Sequence, residues 1–543
     1  MWIAGISFFI LFLILCAWRM ESEGPRTHGS AGWCTVWPLF RKGFMKRRGL
    51  LVGDWKGLVP VHYDQTHAIT FGATGGGKGT TAVLPNLLSY PFVFLLDPGG
   101  ENTAVAAKRW RAAGYELGCI NFFGMHGDAP WDLPAQGFNP LDLLDPGSFN
   151  FAADALVIAD MLIGRSGKES EAGSFFKNTA RGHLRDFIVH CKTAEPADRQ
   201  NLATVFEYAH CDAGAWEALL AAMKANDACG GIARIGAIAL ERREAQAPEE
   251  FSAVLSTMQE HLNWMIDLQV RQFLSRSDVD FSILKGSRQD QPGGIVSVIL
   301  PLQYNQTHAA ISRLAMACAV LTMQRAPLAR EKVLFVIDEA ADLGRIERLP
   351  QWLATLRKYQ VVLWPIFQNM GQLAELYGRG WQTLTANCGL LQFLSFGNDL
   401  ETAEHTERLL GKCTIATVTT NGKGERSISQ AARALLTADE LRRLEGDRQI
   451  VLIDNLLPIK LKKIPYWKRL ALKGRFHPNP YYSGKSGTPS YLRALCGRLY
   501  YALIWLMAPH PIAAVILALT LGMPVLSFFF VMLVAIAGGF SGR

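Results

Sequence analysis

At 543 residues the chain is too long for a single hydrophobic core, which excludes a one-domain protein. An apolar share of 49% and a slightly positive mean hydropathy exclude a disordered chain, and the apolar excess lies at the two ends. The formal charge of +8 sits in two acid-free clusters, residues 41–48 and 460–475, whose twelve cations exceed the whole surplus, so the remainder is mildly acidic and a uniformly basic coat for nucleic acid is excluded.

In chain order, residues 1–20 read as an N-terminal transmembrane helix. Positions 2–18 are nearly all apolar and uncharged, about the minimum needed to cross a bilayer. A secretory signal wants a positive start and small residues before its cleavage site, and neither is present. The cluster Arg41, Lys42, Lys46, Arg47 and Arg48 then holds the following chain on the cytoplasmic side, and residues 21–56 read as a basic juxtamembrane linker.

From 57 to 150 strand-like runs alternate with helical stretches, as expected for the first part of a parallel α/β domain. The apolar run 67–71 leads into Gly72-Ala73-Thr74-Gly75-Gly76-Gly77-Lys78-Gly79-Thr80-Thr81 and then into a helical segment. Strand, glycine turn and helix in that order form a cradle for nucleotide phosphates: successive N–H groups turn toward one anion, the helix N-terminus adds its positive dipole end, and Lys78 reaches the terminal phosphates. ATP with Mg2+ is the expected ligand. Gly79 stands where a Ser or Thr hydroxyl normally meets the metal, so Thr80, Thr81 or a water has to substitute. A second buried strand, 91–96, ends in Asp97-Pro98-Gly99-Gly100-Glu101, and Asn139-Pro140 marks a later turn.

Residues 151–285 change to helical periodicity with few strand-like runs and read as an all-helical insertion. The alternating pattern returns over 286–459, the second part of the α/β domain. There the apolar run 333–337 ends in Asp338-Glu339, the run 361–367 ends at Gln368, and Thr437-Ala438-Asp439-Glu440 forms a capping box before a short helix. Pro365 is awkward in a central strand because it lacks a ladder donor. Residues 460–498 read as a second basic linker, and 499–540 as a C-terminal membrane region of one long or two short spans. The ten cysteines show no CxxC spacing and the twelve histidines no HExxH motif, so the sequence suggests no metal cage and fits a reducing compartment.

Hydrolysis of a phosphoanhydride needs a cation on the terminal phosphates and a carboxylate that orients the attacking water. Asp338 suits the first task through Mg2+ and Glu339 the second, while the Gln368 amide can contact the γ-phosphate or that water. Arg357, just before the strand that ends at Gln368, is expected on the same sheet edge as the nucleotide and aimed at a neighbouring subunit's ATP, which requires an oligomer.

The phosphate cradle with Gly79 after its lysine, Asp97-Pro98-Gly99-Gly100-Glu101, Phe138-Asn139-Pro140, Asp338-Glu339, Gln368-Asn369, Gly397-Asn398-Asp399-Leu400-Glu401-Thr402-Ala403 and Leu435-Leu436-Thr437-Ala438-Asp439-Glu440-Leu441 together resemble the TraG/TraD-type coupling proteins of conjugation and type IV secretion. The resemblance covers roughly 57–465 and implies a RecA-like ATPase domain with an all-helical insertion, terminal transmembrane helices and a homo-hexameric ring on the bacterial inner membrane. It also implies delivery of a relaxase-bound single DNA strand, or of protein, to a secretion channel. In this family pattern Lys78 holds phosphates, Asp338 and Glu339 serve Mg2+ and water, Gln368 senses the γ-phosphate, and Arg357 acts across the subunit boundary. Three features depart from it: Gly99 replaces a lysine, one N-terminal span is visible where a pair is usual, and no acidic tail is present. Two other readings compete. A chromosome-type double-stranded DNA translocase would place a winged-helix module after the motor, and a non-hydrolysing docking receptor would suit Gly79 and Gly99.

Overall fold

The computed structural model describes residues 27–164, 171–286, 290–420 and 426–482, with isolated positions 495 and 497. Both expected membrane regions, 1–20 and 499–540, lie outside them; among the described residues no helix is long and apolar enough to cross a membrane. In chain order the strands are β1 (Leu50–Trp55), β2 (Val59–Tyr63), β3 (His67–Gly72), β4 (Phe92–Pro98), β5 (Glu116–Ile120), β6 (Gly294–Leu300), β7 (Val333–Ile337), β8 (Val361–Phe367), β9 (Cys388–Ser395), β10 (Lys412–Thr420), β11 (Arg426–Ala434), β12 (Arg448–Ile453) and β13 (Ile459–Lys462). The chain divides into two units, one holding the described parts of Met1–Tyr63, Ala403–Ile464 and Ser490–Arg543, the other Asp64–Thr402 and Pro465–Pro489.

The larger unit is built on seven strands in the order β9-β3-β8-β7-β4-β6-β5, with every neighbouring pair parallel. Strands covered on both faces must be apolar throughout, and β6, β7 and β8 are buried at every position. Parallel strands all present their C-terminal ends at one edge. The four adjacent strands β3, β8, β7 and β4 therefore bring Gly72, Gln368, Asp338 and Asp97 to the same edge.

Pro365 does sit in the central strand β8. Its neighbours explain why: the β3–β8 register starts only at Thr70↔Ile366, and upstream the Leu363 N–H donates to Nδ1 of buried His67, a side chain standing in for a ladder carbonyl. A missing donor at 365 falls in that interruption. Trp364 Nε1 donates to Thr70 Oγ1, which donates to Gln392 Oε1, both at 2.8 Å, so a buried chain of hydrogen bonds ties β8, β3 and β9 together.

Between β5 and β6 the chain forms helices Phe151–Leu162, Glu171–Ala194, Leu202–His210, Ala213–Lys224, Ala228–Gln246, Pro248–Leu262 and Leu268–Leu274. The Glu171–Ala194 helix buries Leu184, Phe187, Ile188 and Cys191 among its neighbours. Two arginines tie this block to the sheet. Arg313, half-buried on helix Ala309–Gln324, donates to the carbonyls of Met161 and Leu343, and Arg348 holds Asp160 at 2.8 Å. Met161 and Asp160 end the first insertion helix, while Leu343 and Arg348 follow the acidic pair.

In the smaller unit β2-β1-β13-β12 are antiparallel, and β10 pairs β11 over nine residues. The Thr437–Glu440 capping box forms with both of its hydrogen bonds and opens helix Ala438–Arg442. Two stretches expected as linker are folded here. Residues 21–56 include helix Val36–Arg41, buried Leu39, Phe44 and Met45, and β1. The boundary at 459/460 cuts β13, because Lys460 and Lys462 project from a strand whose alternate residues Ile459 and Leu461 are buried. Charge density misled the sequence reading at both places.

Candidate nucleotide site

The loop after β3 turns through residues that only glycine accommodates easily. Gly75 and Gly77 have φ of +76° and +89°, and a Cβ on Gly76 would stand 2.1 Å from Ser395 Oγ. Lys78 then opens a wide π-type turn, Lys78–Val83, continued by helix Leu84–Leu87, so its first N–H groups lack helical partners. Thr81 Oγ1 donates to the Gly77 carbonyl at 2.7 Å and Thr80 Oγ1 to the same oxygen at 3.4 Å.

Lys78 meets the acidic pair directly: its Nζ is 3.2 Å from Glu339 Oε2, with both side chains largely sheltered. Glu339 has a left-handed backbone, φ +55° and ψ +58°, which turns the chain sharply after β7. Its other oxygen faces Gln372 Nε2 at 3.4 Å, and Gln372 Oε1 accepts the Gln368 N–H at 2.8 Å. Gln368 thus lies beside the pair through its backbone and Gln372. Gln372 was missed in the sequence; its signal is a spacing of four from Gln368 on helix Met370–Tyr377, which Asn369 caps.

Asp338 and Asp97 form a second, deeper pair. Asn102 Nδ2 donates to Asp338 Oδ2 and to Asp97 Oδ1, each at 3.0 Å, and Asp97 Oδ2 takes the Thr103 N–H and hydroxyl at 2.7 Å. Burial pushes Asp97 up to about 7 despite these donors. Burial likewise raises Asp338, to about 6, with the Lys78 charge opposing the rise. Asn102 was also missed; it directly follows Glu101, but its bond to Asp338 spans 236 residues and leaves no local trace.

The turn at Gly99 is closed without a cation. Gly99 and Gly100 have φ of +78° and +71°, a conformation that disfavours lysine, and the Gly99 carbonyl accepts from Tyr481 OH at 2.7 Å and contacts His126 Nε2 at 2.9 Å. Asn479 Nδ2 donates to Glu101 Oε1 at 2.6 Å. Two other motifs resolve into caps: Asn139 Oδ1 accepts the Leu141 N–H, and Asp399 Oδ1 accepts the Thr402 N–H.

Arg357 is not where expected. It lies exposed in the turn Leu356–Tyr359 ahead of β8, beside buried His67 at the start of β3, and so at the N-terminal edge of the sheet. Parallel strands force this: Gly72 ends β3 whereas Arg357 precedes β8, and seven strand residues separate the two edges by about 20 Å.

Residues 38–490 match the model of a family described as type IV secretory system conjugative DNA transfer. The type IV secretion system-coupling protein VirD4 of Bartonella quintana is 25% identical over 439 residues, covering 77% of this chain and 66% of its own length, just under two thirds. The conjugal transfer protein TraG of Escherichia coli is 26% identical over 472 residues, covering 78% of this chain and 72% of its own. Among solved structures, the unbound bacterial conjugative coupling protein TrwB superimposes with a TM-score of 0.60 at 17% identity, over 79% of this chain and 91% of that one. A TrwB complex with the ATP analogue ADPNP gives the same TM-score and identity over 81% and 96%. At such identity these structures speak for the fold alone, a RecA-like one.

Proposed function

Because the chain belongs to the type IV secretory system conjugative DNA transfer family, we propose that it is a coupling ATPase. In this reading it assembles as a homo-hexamer at the bacterial inner membrane and uses ATP hydrolysis to pass relaxase-bound single-stranded DNA, or protein, to a type IV secretion channel. One observation carries the catalytic part: Lys78 and Glu339, 261 residues apart, meet at 3.2 Å where the glycine loop faces the acidic strand end. TrwB, which shares the fold, has been solved with ADPNP and with ADP and Mg2+.

The loop residues Gly72, Ala73, Thr74, Gly75, Gly76, Gly77, Lys78, Gly79 and Thr80 wrap the phosphates. On binding, Lys78 exchanges Glu339 for phosphate oxygens, and Glu339 is released to orient the attacking water, held on its other side by Gln372 and Gln368. Asp338, with Thr80 from the loop, would hold the Mg2+. A bound Mg2+ would offset the charge that develops on the phosphate oxygens. Arg357, a sheet's depth from its own loop, serves the nucleotide of a neighbouring subunit.

The test is ATP turnover by the full chain in detergent, with and without single-stranded DNA. DNA-stimulated phosphate release that Lys78→Ala and Glu339→Gln both abolish is expected. Nucleotide binding without turnover in an assembled ring would instead support the docking receptor that Gly79 and Gly99 favour.

A further inference from the structure

Among the buried polar atoms near the loop that have no partner among the described residues, Ser395 Oγ included, one belongs to the side chain between Asp97 and Asp338. Asn102 is 4% exposed, and its Nδ2 faces both Asp97 and Asp338, which fixes the amide so that Oδ1 points away from the two carboxylates. That buried Oδ1 has no hydrogen-bond partner among the described residues. It lies 3.6 Å from where a Cβ on Gly79 would stand. The place where the loop lacks its hydroxyl is thus the place where a carboxamide oxygen is unpaired. The nearby hydroxyls of Thr80 and Thr81 both lean on the Gly77 carbonyl.

We propose that Asn102 stands in for the missing hydroxyl: its Oδ1 holds a water in the Mg2+ shell at the position Gly79 leaves open, while its Nδ2 orients Asp338. The inference rests on the nucleotide reading above. Mg2+ gives up its waters reluctantly, and a water on a dication is a strong donor that suits a neutral carboxamide oxygen. One rigid side chain then sets both the carboxylate and the water. Glycine at 79 becomes a requirement of this arrangement, since most side chains there would occupy the water's place. A serine would put its own hydroxyl in that place.

Equilibrium binding of a fluorescent ATP analogue to the full chain, titrated with Mg2+, tests this. Asn102→Ala is expected to raise the Mg2+ midpoint about tenfold, and adding Gly79→Ser to that variant to bring it back to within about twofold of wild type. An unchanged midpoint in Asn102→Ala overturns the proposal. So does a rise that Gly79→Ser fails to reverse, which would leave Asn102 only a positioner of Asp338, or an equal rise in Thr80→Val with none in Asn102→Ala. Should Asn102→Ala not fold, Gly79→Ser alone decides: a midpoint at or below wild type supports the proposal and a higher one overturns it. Wild-type protein that binds no nucleotide at any Mg2+ concentration is a separate result, and it sinks the nucleotide reading itself.

Discussion

At the C-terminal edge of the parallel sheet the polar side chains bond mainly to one another: Lys78 to Glu339, Glu339 to Gln372, Asn102 to Asp97 and Asp338. At the opposite edge they bond mainly to fixed backbone. His67 accepts the Leu363 N–H, Lys285 donates to the Arg325 carbonyl, and Lys332 donates to the carbonyl and carboxylate of Asp64. A side-chain partner can be exchanged for a phosphate; a backbone partner cannot be without unfolding. Polarity alone therefore does not mark the working edge of this sheet; the kind of partner does.

Three measurements sharpen or break that contrast. At the working edge, Lys78→Ala and Glu339→Gln should each lower phosphate release by about 1000-fold while shifting Tm by no more than about 2 °C, followed by calorimetry alongside turnover. A large loss of Tm would mean that the pair is a structural staple. Arg357 is the exception that could break the contrast, being a free-ended cation at the structural edge. Arg357→Ala should slow turnover by about 100-fold or more in the assembled ring with ATP affinity retained. Parallel loss of affinity would contradict action across a boundary, and no loss at all would return Arg357 to the structural set.

His67 tests the structural edge by pH. Burial, reinforced by the Arg357 charge, lowers its pKa from 6.5 to about 4, so the neutral ring accepts the Leu363 N–H. The unfolded chain takes up this proton first as pH falls. The stability that His67 contributes is therefore full above about pH 6.5 and declines down to about 4, by on the order of 3 kcal/mol. Asp97 and Asp338, raised by burial, contribute the opposite slope over the same window, so the His67 share is read by chemical denaturation as the difference between proteins: His67→Gln should gain stability relative to wild type as pH falls from about 6.5 to about 4. Equal slopes would remove His67 from the account.

Much of the fold is legible in sequence because the signals are local. A glycine run behind an apolar strand, acids after five apolar residues, and Thr437 three residues before Glu440 each occupy a short window, and each has the form expected. What escaped is what depends on strand order. The edge occupied by Arg357 follows from β8 running parallel to β3, and the role of Asn102 from a partner far along the chain; no periodicity encodes either. The expected linkers failed for another reason. Lysines on one face of a strand look like a charge run until the buried residues between them are counted.

Arg313 has a mechanical consequence. Its guanidinium grips one carbonyl at the end of the first insertion helix and another just beyond Glu339. A tilt of the helix either breaks a charge-assisted bond or drags the turn that bears Glu339 along. Load applied to the helical block is thus transmitted to the turn that bears Glu339 as a pull, as through a tie rod pinned at both ends.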